Sequence, residues 1–334
     1  MFARIAVASA VLALPAKSWA QSFDAVGSRA AGMGGAFVAV ADDASAAYWN
    51  PAGFAAGSLF SLVLDRNATK TDPAGNLGPG SQSGLLIGLG VPALGLSYYR
   101  LRASTIEAAA GSKAGVPDGR NTTGPETRLN TLITHHTGVT LVQSVAPGLA
   151  VGATVKVVRG IASSKILPEG DREKQLDEGT DVSGQASTHL DADLGVMATA
   201  GRLRAGFTLR NLSEPAFRTA EDATVELQRQ ARAGIAVSPA AGWIVAADLD
   251  VLKTTGPLGA VKEFAAGTEA RVLRRAWVRG GLNVNTVDNA DGRGTALTGG
   301  ASYAATASLL LDAQVTAGGE RAAHGWGVSA RFVY

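Results

Sequence analysis

The chain has 334 residues, with 42 glycines, no cysteine, 46% hydrophobic and 17% charged residues, and a formal net charge of +2 at pH 7. The lack of cysteine excludes disulfides and thiolate metal sites, and a small positive charge dispersed along the chain gives no case for nucleic-acid binding. Beyond the leader no run of about 18 uninterrupted apolar residues occurs, so the apolar content lies in alternation rather than in a membrane-spanning helix.

In chain order, Arg4 is followed by an apolar run from Ile5 to Leu14, then Pro15, then small residues Ser18 and Ala20 around Trp19. This is the pattern of a secretory signal peptide, residues 1–20, with cleavage expected after Ala20 and export to the periplasm of a Gram-negative bacterium. The run is too short for an anchor helix.

Residues 21–57 follow, and within them 27–54 do not read as strand. The stretch Gly32-Met33-Gly34-Gly35-Ala36-Phe37 is too rich in glycine, and Asp42-Asp43-Ala44-Ser45 looks like the start of a short helix with a carboxylate available to cap exposed amides. That helix stops at Asn50-Pro51, because proline drives the preceding residue out of the helical region. Small residues allow close packing, while Met33, Phe37, Tyr48, Trp49 and Phe54 fill space. Such a piece fits inside a barrel lumen as a hatch, or it lies against the barrel mouth.

From residue 58 to 334, period-two alternation gives about fourteen strands of roughly nine to fourteen residues, the length a tilted membrane strand needs. They fall near 59–67, 83–91, 94–102, 128–143, 149–161, 187–200, 202–212, 225–238, 242–252, 260–272, 275–286, 293–304, 307–317 and 324–334. In 202–212, Leu203, Ala205, Phe207 and Leu209 alternate with Arg202, Arg204, Thr208 and Arg210. Connections alternate long and short, with short ones at Ala146-Pro147-Gly148, Ser238-Pro239-Ala240-Ala241 and near Gly201, Arg274 and Ala305. Barrels with both termini in the periplasm put short turns there and long loops outside, which requires an even strand count. The last strand alternates Trp326, Val328, Ala330, Phe332 and Tyr334 with Gly327, Ser329 and Arg331. An aromatic C-terminus of this kind is the signal read by the outer-membrane assembly machinery, and Trp326, Phe332 and Tyr334 carry it. The fold expectation is all-β: an antiparallel transmembrane β-barrel of about 14 strands with an N-terminal hatch, integral to the outer membrane and surrounded by its lipid.

The stretch from Gly32 to Phe37, followed by Ala41-Asp42-Asp43-Ala44-Ser45-Ala46-Ala47-Tyr48-Trp49-Asn50-Pro51-Ala52-Gly53, resembles the N-terminal signature of the FadL/TodX outer-membrane transporters and their PorV/PorQ-like relatives. Asn-Pro-Ala-Gly is its most specific element. The resemblance implies a fourteen-stranded barrel whose hatch blocks direct passage, with hydrophobic molecules entering from outside, shifting the hatch and leaving toward membrane or periplasm. The chain is short for a FadL-type transporter, and loop 162–186, with Asp171-Arg172-Glu173-Lys174-Gln175, reads as solvated rather than greasy. In build it is closer to PorV-like proteins, some of which escort or anchor secreted proteins.

No catalytic motif is present: His-Glu-x-x-His, Gly-x-Ser-x-Gly and Gly-x-x-x-x-Gly-Lys are all absent. An enzyme is therefore not expected, and neither is a cofactor or a metal. His135 and His136 point to opposite faces of one strand and make a poor metal pair. Alternation puts Asp191, Asp193, Asp248 and Asp250 on lumen faces, opposite Arg204, Arg210, Arg232, Arg271, Arg279 and Arg331. On the lipid face each arginine would cost roughly 2–4 kcal/mol at midplane. A hydrophobic passenger would then need an apolar site built by the hatch, for which Met33, Phe37, Tyr48, Trp49, Asn50, Pro51, Gly53 and Phe54 are the candidates. The expected function is passive, hatch-gated transport of long-chain fatty-acid-like molecules across the outer membrane; the alternative is a PorV-like protein that binds or anchors a secreted protein partner.

Overall fold

The computed structural model describes residues 26–71, 79–108, 126–168, 171, 174–176, 184–220, 224–256, 259–287, 294–318 and 323–334. The expected signal peptide and its cleavage point lie outside the described residues. Two short helices, α1 (Ser28–Ala31) and α2 (Ala46–Trp49), and a 3-10 turn at Pro51–Ala56 come first. The first seven strands are β1 (Ser61–Thr71), β2 (Gly80–Val91), β3 (Leu94–Ala108), β4 (Glu126–Ala146), β5 (Leu149–Pro168), β6 (Ser187–Ala200) and β7 (Leu203–Arg210). Next come the short β8 (Ala216–Arg218) and β9 (Thr224–Glu226), then β10 (Gln230–Ala240) and β11 (Trp243–Asp250). The short β12 (Thr254–Gly256) and β13 (Gly259–Val261) precede β14 (Glu263–Leu273), β15 (Ala276–Asn285), β16 (Thr295–Ala304), β17 (Leu309–Gly318) and β18 (Ala323–Val333).

Fourteen of these strands close into one antiparallel barrel in the order β1-β2-β3-β4-β5-β6-β7-β10-β11-β14-β15-β16-β17-β18. Closure runs from Ser61 opposite Val333 to Thr71 opposite Ala323, so no edge of the barrel is left unpaired. Along the barrel strands, inward positions are mostly small or polar and outward positions mostly apolar. Leu64, Ile87, Leu96, Val155, Leu203, Ile235, Leu297 and Val328 stand exposed on the outer surface, the dress a bilayer demands. The closing aromatics Trp326, Phe332 and Tyr334 belong to the same outer face and are exposed.

Three departures from the sequence reading have local causes. The strand expected over 225–238 is two elements, because β7 leaves the wall at Asn211, whose φ is 55° and whose amide is taken by the Asp193 carboxylate at 2.9 Å. The chain then makes the β8–β9 hairpin before rejoining the wall as β10. The strand expected over 260–272 is likewise split, since the amides of Lys262 and Glu263 bond to the side chains of Asn285 (3.1 Å) and Asp250 (2.8 Å) rather than to a ladder. Strand length also exceeds the expected range: β4 and β5 have 21 and 20 residues. Their loop-side ends carry cores of their own: Phe217, Val225 and Leu227 of the hairpin region pack on Leu132, Val158 and Ala162, and Leu176 packs on Ile106 and Leu129. In the loop read as solvated, Asp171 and Lys174 are exposed but Gln175 and Leu176 are buried.

Candidate functional site: the plugged lumen

Residues 26–54 fill the barrel, and almost every side chain among them is buried. Glycine makes this possible on both sides of the contact. Gly34 has a φ of 68°, and a Cβ there would stand 2.7 Å from the backbone nitrogen of Leu282 in β15. On the wall, a Cβ on Gly195 of β6 would come within 2.8 Å of the Pro51 ring. Neighbouring strands thus supply glycine where the plug backbone touches them, as at Gly195 and Gly206 or Gly267 and Gly281, and a methyl group would push the two apart.

Wall side chains hold the plug backbone. Asp65 of β1 accepts from the amides of Gly27 (3.2 Å) and Ser28 (2.6 Å), satisfying donors at the start of α1. Asp248 of β11 accepts from the amides of Phe37 (2.7 Å) and Val38 (2.8 Å). Asn50 is fully buried; its side-chain nitrogen donates to the carbonyls of Val38 (2.9 Å) and Val196 (3.0 Å), while its oxygen accepts from the amide of Ala52 (3.1 Å). One amide thereby ties two parts of the plug to β6, which explains why Asn-Pro follows the helix. Asp43 does not cap α2 directly; its carboxylate accepts from the Ser45 amide at 2.9 Å, ordering the turn before it.

The two ends of the plug are seated differently. At the α1 end, Arg29 pairs with Asp42 (2.5 Å), Asp43 (3.3 Å) and Glu269 (2.8 Å). Glu269 also holds Arg279 (2.5 Å), Arg279 reaches Asp312 (3.1 Å), and Arg331 bridges Asp312 (2.6 Å) back to Asp43 (3.3 Å). A cavity of about 220 Å³ beside this network is lined by Arg29, Asp42, Asp43, Glu269, Arg279 and Arg331. Burial pushes the Asp43 carboxyl up, but Arg331 and Arg29 outweigh it and hold the group below its ordinary value. At the α2 end the contacts are aromatic. Tyr48 packs edge-on against Trp49 and Tyr99, Tyr99 stacks on His136 at 4.3 Å, and the Arg210 guanidinium lies 3.7 Å from the centre of the Tyr48 ring. Trp49 donates its indole N–H to the Val26 carbonyl at 3.0 Å.

Of the hatch residues named from sequence, Met33, Phe37, Tyr48, Trp49, Asn50, Pro51, Gly53 and Phe54 are all buried in the seat, packed against one another and the wall. Asp191, Asp193, Arg210, Arg232, Asp248, Asp250, Arg279 and Arg331 are buried on the lumen side, and Arg204 is half-buried, 3.9 Å from Asp42. Arg271 departs from the expected lumen position. It shares the inward register, but β14 ends two residues later in a tight turn, so its side chain is exposed at the rim, near the Trp277 ring and the Leu273 carbonyl. Sequence reasoning missed Arg29, Lys156, Glu269 and Asp312. Lys156, paired with Asp193 (2.6 Å) and Asp191 (3.2 Å), and Glu269 and Asp312 obey the same inward parity as the residues that were found. Among the described residues no group of three or more potential metal ligands occurs.

A fourteen-strand barrel with an apolar exterior, its lumen filled by its own N-terminal segment, defines the class: a plugged β-barrel with a membrane-facing wall. The particular fold is that of the FadL/TodX hydrophobic-compound channels. The chain is similar to the CymD monoaromatic hydrocarbon channel with a TM-score of 0.65 at 16% identity, over 94% of this chain and 99% of that one. It is similar to the Ralstonia pickettii toluene transporter TbuX (TM-score 0.61, 15% identity, 93% and 99% covered) and to a Pseudomonas aeruginosa FadL homologue (0.59, 11%, 96% and 99%). In sequence, residues 121–250 match the family model described as F plasmid transfer operon, TraF, protein, which leaves the plug outside the match. A search of curated proteins gives no match.

Proposed function

We propose that this protein is an outer-membrane channel for hydrophobic molecules, with long-chain fatty acids or monoaromatic compounds as passengers, and that the plug gates the route. The observation that carries this reading is the mode of seating: the plug is held by many separate side-chain contacts to the wall and no covalent one, so it can shift without the barrel opening. The likeness in fold to channels for monoaromatic hydrocarbons and toluene supports the passenger class. In this reading Met33, Phe37, Tyr48, Trp49 and Phe54 become the apolar lining when the plug moves, while the charged network beside α1 stays wetted. The test is uptake of labelled oleate and of labelled toluene by cells lacking their own transporters. Uptake above cells expressing an empty barrel control is expected; none from a demonstrably folded barrel would refute the reading.

A second reading rests on the long β4–β5 extension, which runs past the end of β6 and exposes Ile166 near its tip. Such a ledge suits a PorV-like role in holding a secreted protein, and co-purification of one defined exported protein would favour it.

A further inference from the structure

Arginine on the outer face of a barrel wall is costly at mid-bilayer and tolerated near the interfaces. In this barrel the outward positions of β6, β7, β10, β11 and β14 to β18 carry no arginine or lysine at all. Those of β1, β3 and β5 do, and one arginine from each lines up with the others. Arg66 of β1 is opposite Leu85 of β2, Leu85 is opposite Arg100 of β3, Arg100 is opposite His135 of β4, and His135 is opposite Arg159 of β5. One continuous row across five neighbouring strands therefore presents Arg66, Arg100 and Arg159 with His135 between the last two. Alternate strands are roughly 10 Å apart, so the three guanidinium groups are evenly spaced along it.

The row marks a sharp change of surface. Turn-side of it the outward residues are apolar, Leu94 and Leu96 on β3, Leu141 and Val139 on β4, Val155 and Val157 on β5, all exposed. One polar step follows, Tyr98 and Thr137, with the Tyr98 hydroxyl 2.8 Å from His135 Nδ1, and then the cations begin. Loop-side of it Arg102 is already engaged, donating to the Leu176 carbonyl at 2.6 Å. Arg66, Arg100 and Arg159, by contrast, have no acidic partner or hydrogen bond among the described residues. Of the buried arginines inside the same barrel, Arg29, Arg232, Arg279 and Arg331 are matched with carboxylates and Arg210 is held by the Tyr48 ring and Gln230, so three unmatched ones in a single outward row are an exception that calls for an external anion.

We infer that this row is a binding site for the phosphate groups of a lipid head group in the loop-side leaflet, a phosphorylated glycolipid seated with its acyl chains on the apolar strip below. The bidentate donor fork of arginine fits phosphate, and the apolar-to-cationic step lies where hydrocarbon gives way to head groups. Confinement to five adjacent strands makes it a site and not a general girdle. It rests on the barrel spanning a membrane and is independent of what the lumen carries.

The experiment is native mass spectrometry of the refolded barrel in detergent, offered a diphosphorylated glycolipid, the same lipid after dephosphorylation, and inorganic phosphate. At least tenfold greater retention of the phosphorylated lipid is expected, lost in the triple variant Arg66→Gln/Arg100→Gln/Arg159→Gln and partly kept in the corresponding Arg→Lys triple. If the glutamine triple fails to show the heat-dependent gel shift of a folded barrel, the three single variants are measured, each expected to lower retention several-fold. Equal retention of both lipids, or retention untouched by these changes in a folded barrel, would overturn the inference. Displacement of the lipid by millimolar inorganic phosphate would also overturn it, reassigning the row to free phosphate.

Discussion

The two ends of the plug reach the same degree of burial by opposite means. Around α1 the seat is a chain of carboxylates and guanidinium groups running Asp42, Arg29, Glu269, Arg279, Asp312, Arg331 and back to Asp43. Around α2 it is ring on ring, with Asn50 supplying a polar tie to β6. A buried ionic chain tolerates the loss of no member, because each removal strands a charge, whereas an aromatic contact weakens by degrees. The ionic end is therefore built as the fixed pivot and the aromatic end as the part that yields, which places the first opening near Tyr48 and Trp49.

Substitutions that separate the two ends sharpen this contrast. The largest effect is expected from Glu269→Ala, which removes the carboxylate that bridges Arg29 and Arg279 and should cost about 3–5 kcal/mol in guanidinium unfolding from lipid vesicles. Asn50→Ala removes three buried hydrogen bonds and should cost about 1–3 kcal/mol, while raising plug-dependent conductance in planar bilayers more than its stability loss suggests. Gly195→Ala, which sets a methyl group against Pro51, should act in the same direction and cost about 1–3 kcal/mol; unchanged conductance would break the link between the Asn-Pro contact and gating. Smallest is the effect of acid. The Asp43 carboxyl is held below its unfolded value by Arg331 and Arg29, so its contribution is present at neutral pH and is lost as pH falls through the folded value, below the usual carboxylate range of about 4. Conductance should rise in that acid window through the ionic end, and Asp43→Asn should show the increase already at pH 7.

Much of this was legible beforehand. A period of two forces face assignment, so residues such as Arg279, Arg232 and Asp248 could be placed in the lumen from spacing alone, and fourteen strands with alternating loop lengths followed. Register was not legible, because it depends on which strands meet. Glu269 and Asp312 become network centres only when β14 sets Glu269 opposite Arg279 and β17 brings Asp312 within reach of Arg279 and Arg331. Nor was the role of Arg29: one charge in a run of small residues carries no period, and its three carboxylate partners come from Asp42, Asp43 and a strand 240 residues away. The outward row of Arg66, Arg100 and Arg159 escaped for the same reason, since it exists only across neighbouring strands.

The central claim is that the plug must move for a passenger to pass, and the cysteine-free chain allows a clean lock. A Cβ on Gly88 of β2 would lie 3.2 Å from the Ala44 Cβ of the plug, a few tenths of an ångström short of the range a disulfide spans, so the bond forms once the two move slightly apart. The measurement is uptake of labelled oleate and toluene by cells bearing the Ala44→Cys/Gly88→Cys variant, with cross-linking verified on gels, before and after reductant. Low uptake when locked, restored on reduction to the level of the parent barrel, is the result the gating account predicts. Equal uptake in the locked and released states would contradict it.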